Sequence, residues 1–329
     1  MSAVNFVVIG GGAWGTAVAV HLAKMHDDVV LVPRDESKAK ALRDAHENTE
    51  RLPGIPLPES LMIDADFAVH ITSETILCLA CPTQGLAELC AQLQRIHLPK
   101  IPVISLMKGL GKDSLQLPSQ VIQSFLPQVL IGSLSGPTYA REFAKGLPAA
   151  MVLGADETLN FLPPLFSNSV VKVSFSEDRI GVELGGCLKN SYAIGAGIIE
   201  GLQLGDNARA AYLASALAEM VKIGTYLGGK KDTFYGLSGL GDLIATTQGS
   251  WSRNRQIGFE IAQGHSIEHL LQSGTVEGYS SLLYFHDVLQ KASMLQKASI
   301  KAPILDALYA IFYKNCSVCE VANNLVTAC

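Results

Sequence analysis

The sequence predicts an α/β protein: a doubly wound, mostly parallel sheet over residues 1–180, followed by an all-helical C-terminal domain over residues 181–329. Three observations predict it. Short β-branched apolar runs alternate with helical stretches through the first half. A glycine-rich turn joins the first such run to the first helix, and strand-like runs largely vanish beyond about residue 180.

The elements follow in order. VNFVVIG (4–10) is a short β-rich run ending on glycine, AWGTAVAVHLAKM (13–25) carries apolar residues at helical spacing, and DDVVLV (27–32) is a second strand. Together they have the length of a β-α-β unit. Further apolar runs are TILCLA (75–80), IPVISL (101–106), QVLIGSL (128–134), PAAMVLG (148–154) and VVKVSF (170–175), with helical stretches at 83–95 and 114–125. Alternation of this kind argues for a parallel sheet with helices on both faces. The boundary falls at 176–182; beyond it EDRIGVELGGCLKNSYAIGAGIIEGL, DNARAAYLASALAEMVKIGTYLG, SRNRQIGFEIAQG and APILDALYAIFYK all read as helices.

Composition narrows the function. A chain of 329 residues exceeds one ordinary core, so two domains are expected. It is 48% hydrophobic and 17% charged, with positive mean hydropathy, which suits a well-buried globular protein. A net charge of −5 with no basic stripe argues against nucleic acid, yet leaves a small anionic substrate open, because local cations can bind it. MSAVNFVVIG lacks the basic region of a signal peptide, and no apolar run reaches the length of a membrane span, so neither export nor membrane insertion is expected. The seven cysteines are an odd number, so reduced thiols in the cytoplasm are the expectation. Cys78 and Cys81 lie three apart in a strand and point to opposite faces, and Cys316 and Cys319 have no second ligand pair nearby; no metal site is expected. The hydrophobic C-terminal helices suit a homodimer as well as a monomer's core.

Gly10-Gly11-Gly12-Ala13-Trp14-Gly15 fits G-x-G-x-x-G, follows a strand and opens a helix, which makes the N-terminal domain Rossmann-like. Gly10 makes the turn, Gly12 lets backbone approach a pyrophosphate, and Gly15 packs helix on strand. The helix N-terminus then offers free N–H groups to phosphates. The second strand ends VLVPRDE, where Arg34 and Asp35 compete for the adenosine ribose. An arginine there favours a 2′-phosphate, so NADPH is expected, with NADH the alternative.

ELGGCLKNSYAIGAG (183–197) places Lys189 among apolar and small residues. Gly185, Gly186 and Ala193 share its helical face, with Tyr192 at i+3, and clear space around the lysine stem. A lysine that snorkels to solvent is the plain alternative. A desolvated ammonium has a depressed pKa, and a second cation depresses it further. Such a lysine can exchange a proton with a reacting hydroxyl while a nicotinamide exchanges hydride at carbon. The pairing suggests an alcohol/ketone oxidoreductase.

Seven motifs in order then resemble the NAD(P)-dependent sn-glycerol-3-phosphate dehydrogenases along the whole chain: GGGAWGTA (10–17), SLMKGL (105–110), SGPTYA (135–140), ELGGCLKN (183–190), GLGDLIATT (239–247), SRNRQIG (252–258) and TVEG (275–278). The resemblance implies reversible reduction of dihydroxyacetone phosphate to sn-glycerol 3-phosphate, feeding phospholipid synthesis. It implies that Lys189 is the proton donor and acceptor and touches substrate, and that Lys108 touches both cofactor and substrate. Gly136 and Thr138 match the substrate-binding GP[ST] loop, and Ala140 a cofactor contact. Asp242, Ser252, Arg253 and Asn254 match substrate contacts, with Arg253 also reaching the cofactor and Thr246 joining them one turn after Asp242. Glu277 and Thr275 match cofactor contacts, beside Gly10, Gly12, Ala13, Trp14, Gly15 and Arg34. Ala13 departs from the family's serine, which leaves the backbone role intact and removes one side-chain hydrogen bond.

The chemistry agrees with those roles. A phosphate dianion wants charge-assisted donors, which Arg253 and Asn254 offer at a helix start. Asp242, acceptor-only when ionised, suits Lys189 or a substrate hydroxyl. Two rivals stand beside this expectation. A two-domain hydroxy-acid dehydrogenase would want a carboxylate-binding arginine and often a histidine base, but His21 lies on a helix face and His265 and His269 look like surface positions. A non-catalytic NADPH sensor needs no proton donor, so Lys108, Lys189 and Asp242 speak against it.

Overall fold

The computed structural model describes residues 4–110, 116–249, 251–272, 276–294 and 300–326. The chain divides into two compact units: Met1–Met107 with Gly111–Arg179, and Lys108–Leu110 with Ile180–Cys329.

Among the described residues, the first unit holds eight strands: β1 Asn5–Ile9, β2 Val29–Val32, β3 Leu61–Ile63, β4 Thr75–Leu79, β5 Pro102–Ser105, β6 Leu130–Ser135, β7 Ala149–Ala155 and β8 Val171–Ser176. They form one sheet in the order β3-β2-β1-β4-β5-β6-β7-β8. The strands from β3 to β6 run parallel; Val7, for example, pairs with Val30 on one side and Leu77 on the other. β7 lies antiparallel to β6, and β8 follows β7. The fold is the expected Rossmann-like sheet, mostly parallel.

Among the described residues, the α-helices of this unit are α1 Ala13–Ala23, α2 Glu36–Ala45, α3 Leu86–Arg95, α4 Pro118–Phe125, α5 Ala140–Lys145 and α6 Pro163–Phe166. β1 shows why its sequence is apolar without a break. Phe6 and Val8 enter a core layer with Val18, Leu22, Phe143 and Phe166; Val7 and Ile9 enter the opposite layer with Leu89, Leu93, Val121 and Ile122. A strand covered on both faces has no polar side to display. His21, buried on α1, hydrogen-bonds the Phe166 carbonyl (2.8 Å), so it serves packing. Part of the helical stretch expected at 114–125 lies outside the described residues.

The second unit holds α7 Arg179–Gly201, α8 Gly205–Tyr226, α9 Asp242–Gln248, α10 Arg253–Ala262, α11 Ile267–Gln272, α12 Glu277–Met294, α13 Pro303–Lys314 and α14 Val318–Val326. α7 is buried from Gly181 to Ile199. Apolar and small residues on every face suit it to a core, with Glu183, Lys189, Asn190 and Ser191 enclosed among them. No helix among the described residues is long and apolar enough to cross a membrane, and no cluster of three His, Cys, Asp or Glu there could hold a metal.

Candidate active site

Two sets of residues emerge, one in each unit. In the first unit, the carboxyl ends of the parallel strands carry the glycine turn after β1, Arg34 after β2 and Gly136 after β6. That edge, where strand order reverses about β1, is where open α/β sheets bind ligands. Gly10 has φ +131°, and a Cβ there would sit 2.6 Å from the Ala80 carbonyl, so the turn itself demands glycine. Gly12 is different. Its φ of −77° suits any residue, and a Cβ would meet nothing within 4 Å. The fold has no use for glycine at that point; space for a ligand's approach does. Gly12 is also the N-cap of α1, and no side chain caps the helix there, so its first-turn N–H groups suit an anion. The residues present thus fit a dinucleotide's pyrophosphate.

Asp35, the competitor for the ribose, is the N-cap of α2, where its side chain accepts from the Lys38 N–H at 2.9 Å. Arg34 beside it is exposed. Gly136 takes φ +146° and packs against the β7 backbone, where a Cβ would lie 2.8 Å from the Ala150 carbonyl oxygen. Thr138 donates its hydroxyl to the Gly136 carbonyl at 3.2 Å, and Ala140 opens α5. Trp14 lies with its ring centroid 5.2 Å from that of Phe143.

In the helical unit, Lys189 is 7% exposed at the middle of α7. Its Nζ donates to Asp242 Oδ1 (2.6 Å) and to Thr246 Oγ1 (2.8 Å). Asp242 is 1% exposed, and its other oxygen accepts from Lys108 Nζ at 2.8 Å. One buried carboxylate therefore bridges two ammonium groups. Burial pushes the Lys189 ammonium down, the Asp242 charge pulls it back up, Lys108 pushes it down again, and the result is about 8. The snorkelling alternative does not hold, since the nitrogen faces inward partners.

The space beside Lys189 has a use that the sequence pattern did not reveal. A Cβ on Gly185 would lie 2.5 Å from the Ser238 carbonyl oxygen. What approaches α7 there is the π-helical turn Leu237–Gly241, which leads directly into Asp242 at the start of α9. The glycine admits the segment that delivers the carboxylate.

Asn190, which the motifs include without a role, binds the set together. Its Nδ2 donates to the Lys108 carbonyl (2.8 Å) and to Glu277 Oε2 (3.1 Å), and its Oδ1 accepts from Asn254 Nδ2 (3.0 Å). Asn254 Oδ1 in turn accepts the Gly278 N–H at 3.1 Å. Asn254 thus has structural duties besides the phosphate contact expected of it. In sequence Asn190 shows only as a polar neighbour of Lys189, followed by Ser191, in a stretch rich in apolar and small residues. Burial pushes the Glu277 carboxyl up, while Lys189 and Lys108 pull it down. Ser252 is the N-cap of α10, accepting from the Arg255 N–H at 3.2 Å, and Arg253 follows it, exposed, as the first helical residue. Thr275 lies outside the described residues.

Family models agree with this pairing of units. Residues 5–160 match the N-terminus, and residues 178–323 the C-terminus, of NAD-dependent glycerol-3-phosphate dehydrogenase. A glycerol-3-phosphate dehydrogenase [NAD(P)+] of Thiobacillus denitrificans is 38% identical over 328 residues, covering 98% of this chain and 97% of its own. One from Herminiimonas arsenicoxydans is 41% identical over 275 residues, covering 81% and 82%. The crystal structure of the Coxiella burnetii glycerol-3-phosphate dehydrogenase aligns with a TM-score of 0.91 at 29% identity, covering 99% of both chains. With a glycine turn that fits a pyrophosphate, a buried carboxylate shared by two lysines, and these matches along its length, the chain belongs to the NAD-dependent glycerol-3-phosphate dehydrogenase family.

Proposed function

We propose that the protein catalyses the reversible NAD(P)H-dependent reduction of dihydroxyacetone phosphate to sn-glycerol 3-phosphate, with Lys189 as proton donor and acceptor. The observation that carries this is the Lys189–Asp242–Lys108 arrangement, which leaves a buried amine balanced near pH 8. A nicotinamide coenzyme, when bound, would supply the hydride that the carbonyl carbon accepts. Lys189 Nζ, as the ammonium, gives its proton to the oxygen that becomes the substrate hydroxyl; in the oxidative direction the neutral amine takes it back. Asp242 and Thr246 orient Nζ, and Lys108 stabilises negative charge developing on the oxygen. Arg253 supplies the planar, always-charged fork a phosphate favours, and Ser252, Asn254, Gly136 and Thr138 complete the substrate contacts. The cofactor contacts that the family resemblance implies are the turn at Gly10, Gly12, Ala13, Trp14 and Gly15, with Arg34, Ala140, Lys108, Arg253 and Glu277. NADPH is the favoured coenzyme, because Asp35 is committed to its helix while Arg34 is exposed at the strand end.

Loss of NADPH absorbance with dihydroxyacetone phosphate, against 2-ketoacids and against no substrate, tests the assignment. Turnover with the phosphoketone alone is expected. Turnover with ketoacids alone, or none at all, contradicts it.

A further inference from the structure

The structure assigns Asn48 a positioning role toward the coenzyme: we propose that its side-chain amide sets the orientation of the Gly11–Gly12 peptide, so that the Gly12 N–H faces the pyrophosphate. The inference rests on the glycine turn being the coenzyme site. Asn48 lies outside every motif, in the turn between α2 and β3, and is 4% exposed. Its Nδ2 donates to the Gly11 carbonyl (3.0 Å) and to Thr16 Oγ1 (2.8 Å), while its Oδ1 accepts the Arg51 N–H (3.2 Å). The Asn48 carbonyl accepts the Leu52 N–H at 2.8 Å, which fixes the residue's own backbone. A flipped amide would set oxygen against carbonyl and N–H against N–H, so one orientation is selected.

The consequence follows from peptide geometry. Across a trans peptide the C=O of one residue and the N–H of the next point in opposite directions. With the Gly11 carbonyl held inward by Asn48, the Gly12 N–H points outward. Gly12 is exposed, a Cβ there would meet nothing within 4 Å, and its N–H makes no backbone hydrogen bond among the described residues. The peptide joins two glycines, so side chains do little to oppose its rotation. Rotated, it would present a carbonyl oxygen to the pyrophosphate instead of a donor. Asn48 supplies the restraint the glycines lack. Thr16, one turn into α1, ties the same amide to the helix whose N-terminus completes the anion site.

The test uses the full chain with Asn48→Ala, Asn48→Leu, Thr16→Val and Gly12→Val. NADPH affinity is measured by fluorescence titration, 2′-AMP affinity by competition, folding by Tm, and kcat and KM by absorbance. Asn48→Ala is expected to weaken NADPH binding and raise its KM by about tenfold, the scale of one lost hydrogen bond to a pre-set anion site. It should leave kcat at saturating NADPH, KM for dihydroxyacetone phosphate and affinity for 2′-AMP, which lacks the pyrophosphate, near wild type. Asn48→Leu, close in shape and without a donor, should give the same selective loss, and it carries the test if the alanine variant does not fold. Thr16→Val keeps the bond to Gly11, so it should lower Tm while retaining NADPH affinity. Wild-type NADPH affinity in the Asn48 variants, or equal loss for NADPH and 2′-AMP, overturns the inference. Gly12→Val keeps the backbone but fills the cradle, and should abolish NADPH binding. If it binds NADPH normally, the coenzyme-site reading itself fails, whatever the Asn48 variants do.

Discussion

At the scale of the residue, one amine stands under opposed influences. Burial and Lys108 press Lys189 toward neutrality and Asp242 holds its proton, which leaves it near 8. The direction of the pH profile follows. Oxidation of glycerol 3-phosphate needs the neutral amine, so kcat/KM for that direction should rise with pH and level off above about 8. Reduction needs the ammonium and should fall over the same range. Lys108→Met removes a cation that lowers the pKa, so both inflections should move to higher pH. Asp242→Asn removes the charge that raises it, so they should move to lower pH. Inflections that stay put in both variants would contradict the shared-carboxylate arrangement.

At the scale of the element, small residues on α7 decide where neighbours come to rest. Gly185→Ala would set a methyl group 2.5 Å from the Ser238 oxygen. Relieving that overlap should cost about 1–3 kcal/mol of stability. Because the displaced segment runs into Asp242, kcat should fall with Tm, whereas the same substitution at exposed Gly228 should leave kcat unchanged. A second buried acid makes stability depend on pH. Glu219 on α8, 3% exposed, accepts N–H groups of Ile304 (3.0 Å) and Leu305 (2.9 Å) at the start of α13, and the Tyr192 hydroxyl (3.2 Å). Burial pushes its carboxyl up to about 7, against the partial relief those donors provide. A raised acid pKa makes the folded state bind a proton more tightly than the unfolded chain. Stability from this group is therefore highest below about 4.5 and declines as pH rises to about 7, by ~3 kcal/mol. Glu219→Gln should flatten Tm against pH across that window; an unchanged slope would contradict it.

The elements also show what a sequence discloses. The long apolar runs became strands because burial on both faces leaves a pattern that periodicity can detect. β3 escaped notice because it has three residues, Leu61 buried, Met62 exposed and Ile63 between, too few to show a period. α14 went unmarked because it is short, nine residues with only Val321, Ala322 and Leu325 buried, and α12 because its buried face includes Gly278 and Ser281. The set Lys108, Lys189, Asp242 and Thr246 was legible as motifs, and the structure brings those four side chains together. Asn190 and Asn48 were not legible, because a buried asparagine reveals its use only through partners distant in sequence, Glu277 for one and Gly11 for the other.

At the scale of the whole molecule, the labour divides between units that differ in construction: a sheet whose strand ends present backbone donors, and a helical body whose packed interior holds charge away from water. Substitutions should respect that division. Arg34→Ala should reduce the preference for NADPH over NADH by about tenfold without altering KM for dihydroxyacetone phosphate, because the role proposed for its guanidinium is to bind the 2′-phosphate. Arg253→Ala should chiefly raise KM for the phosphate substrate; an unchanged KM would remove Arg253 from the phosphate site. The most direct test is turnover and NADPH affinity measured together in Lys189→Ala. Turnover should fall by about a thousandfold or more, as befits loss of the acid–base group, with NADPH affinity close to wild type. Turnover within about tenfold of wild type would contradict the proton-transfer role of Lys189, because general acid–base catalysis is worth more than that.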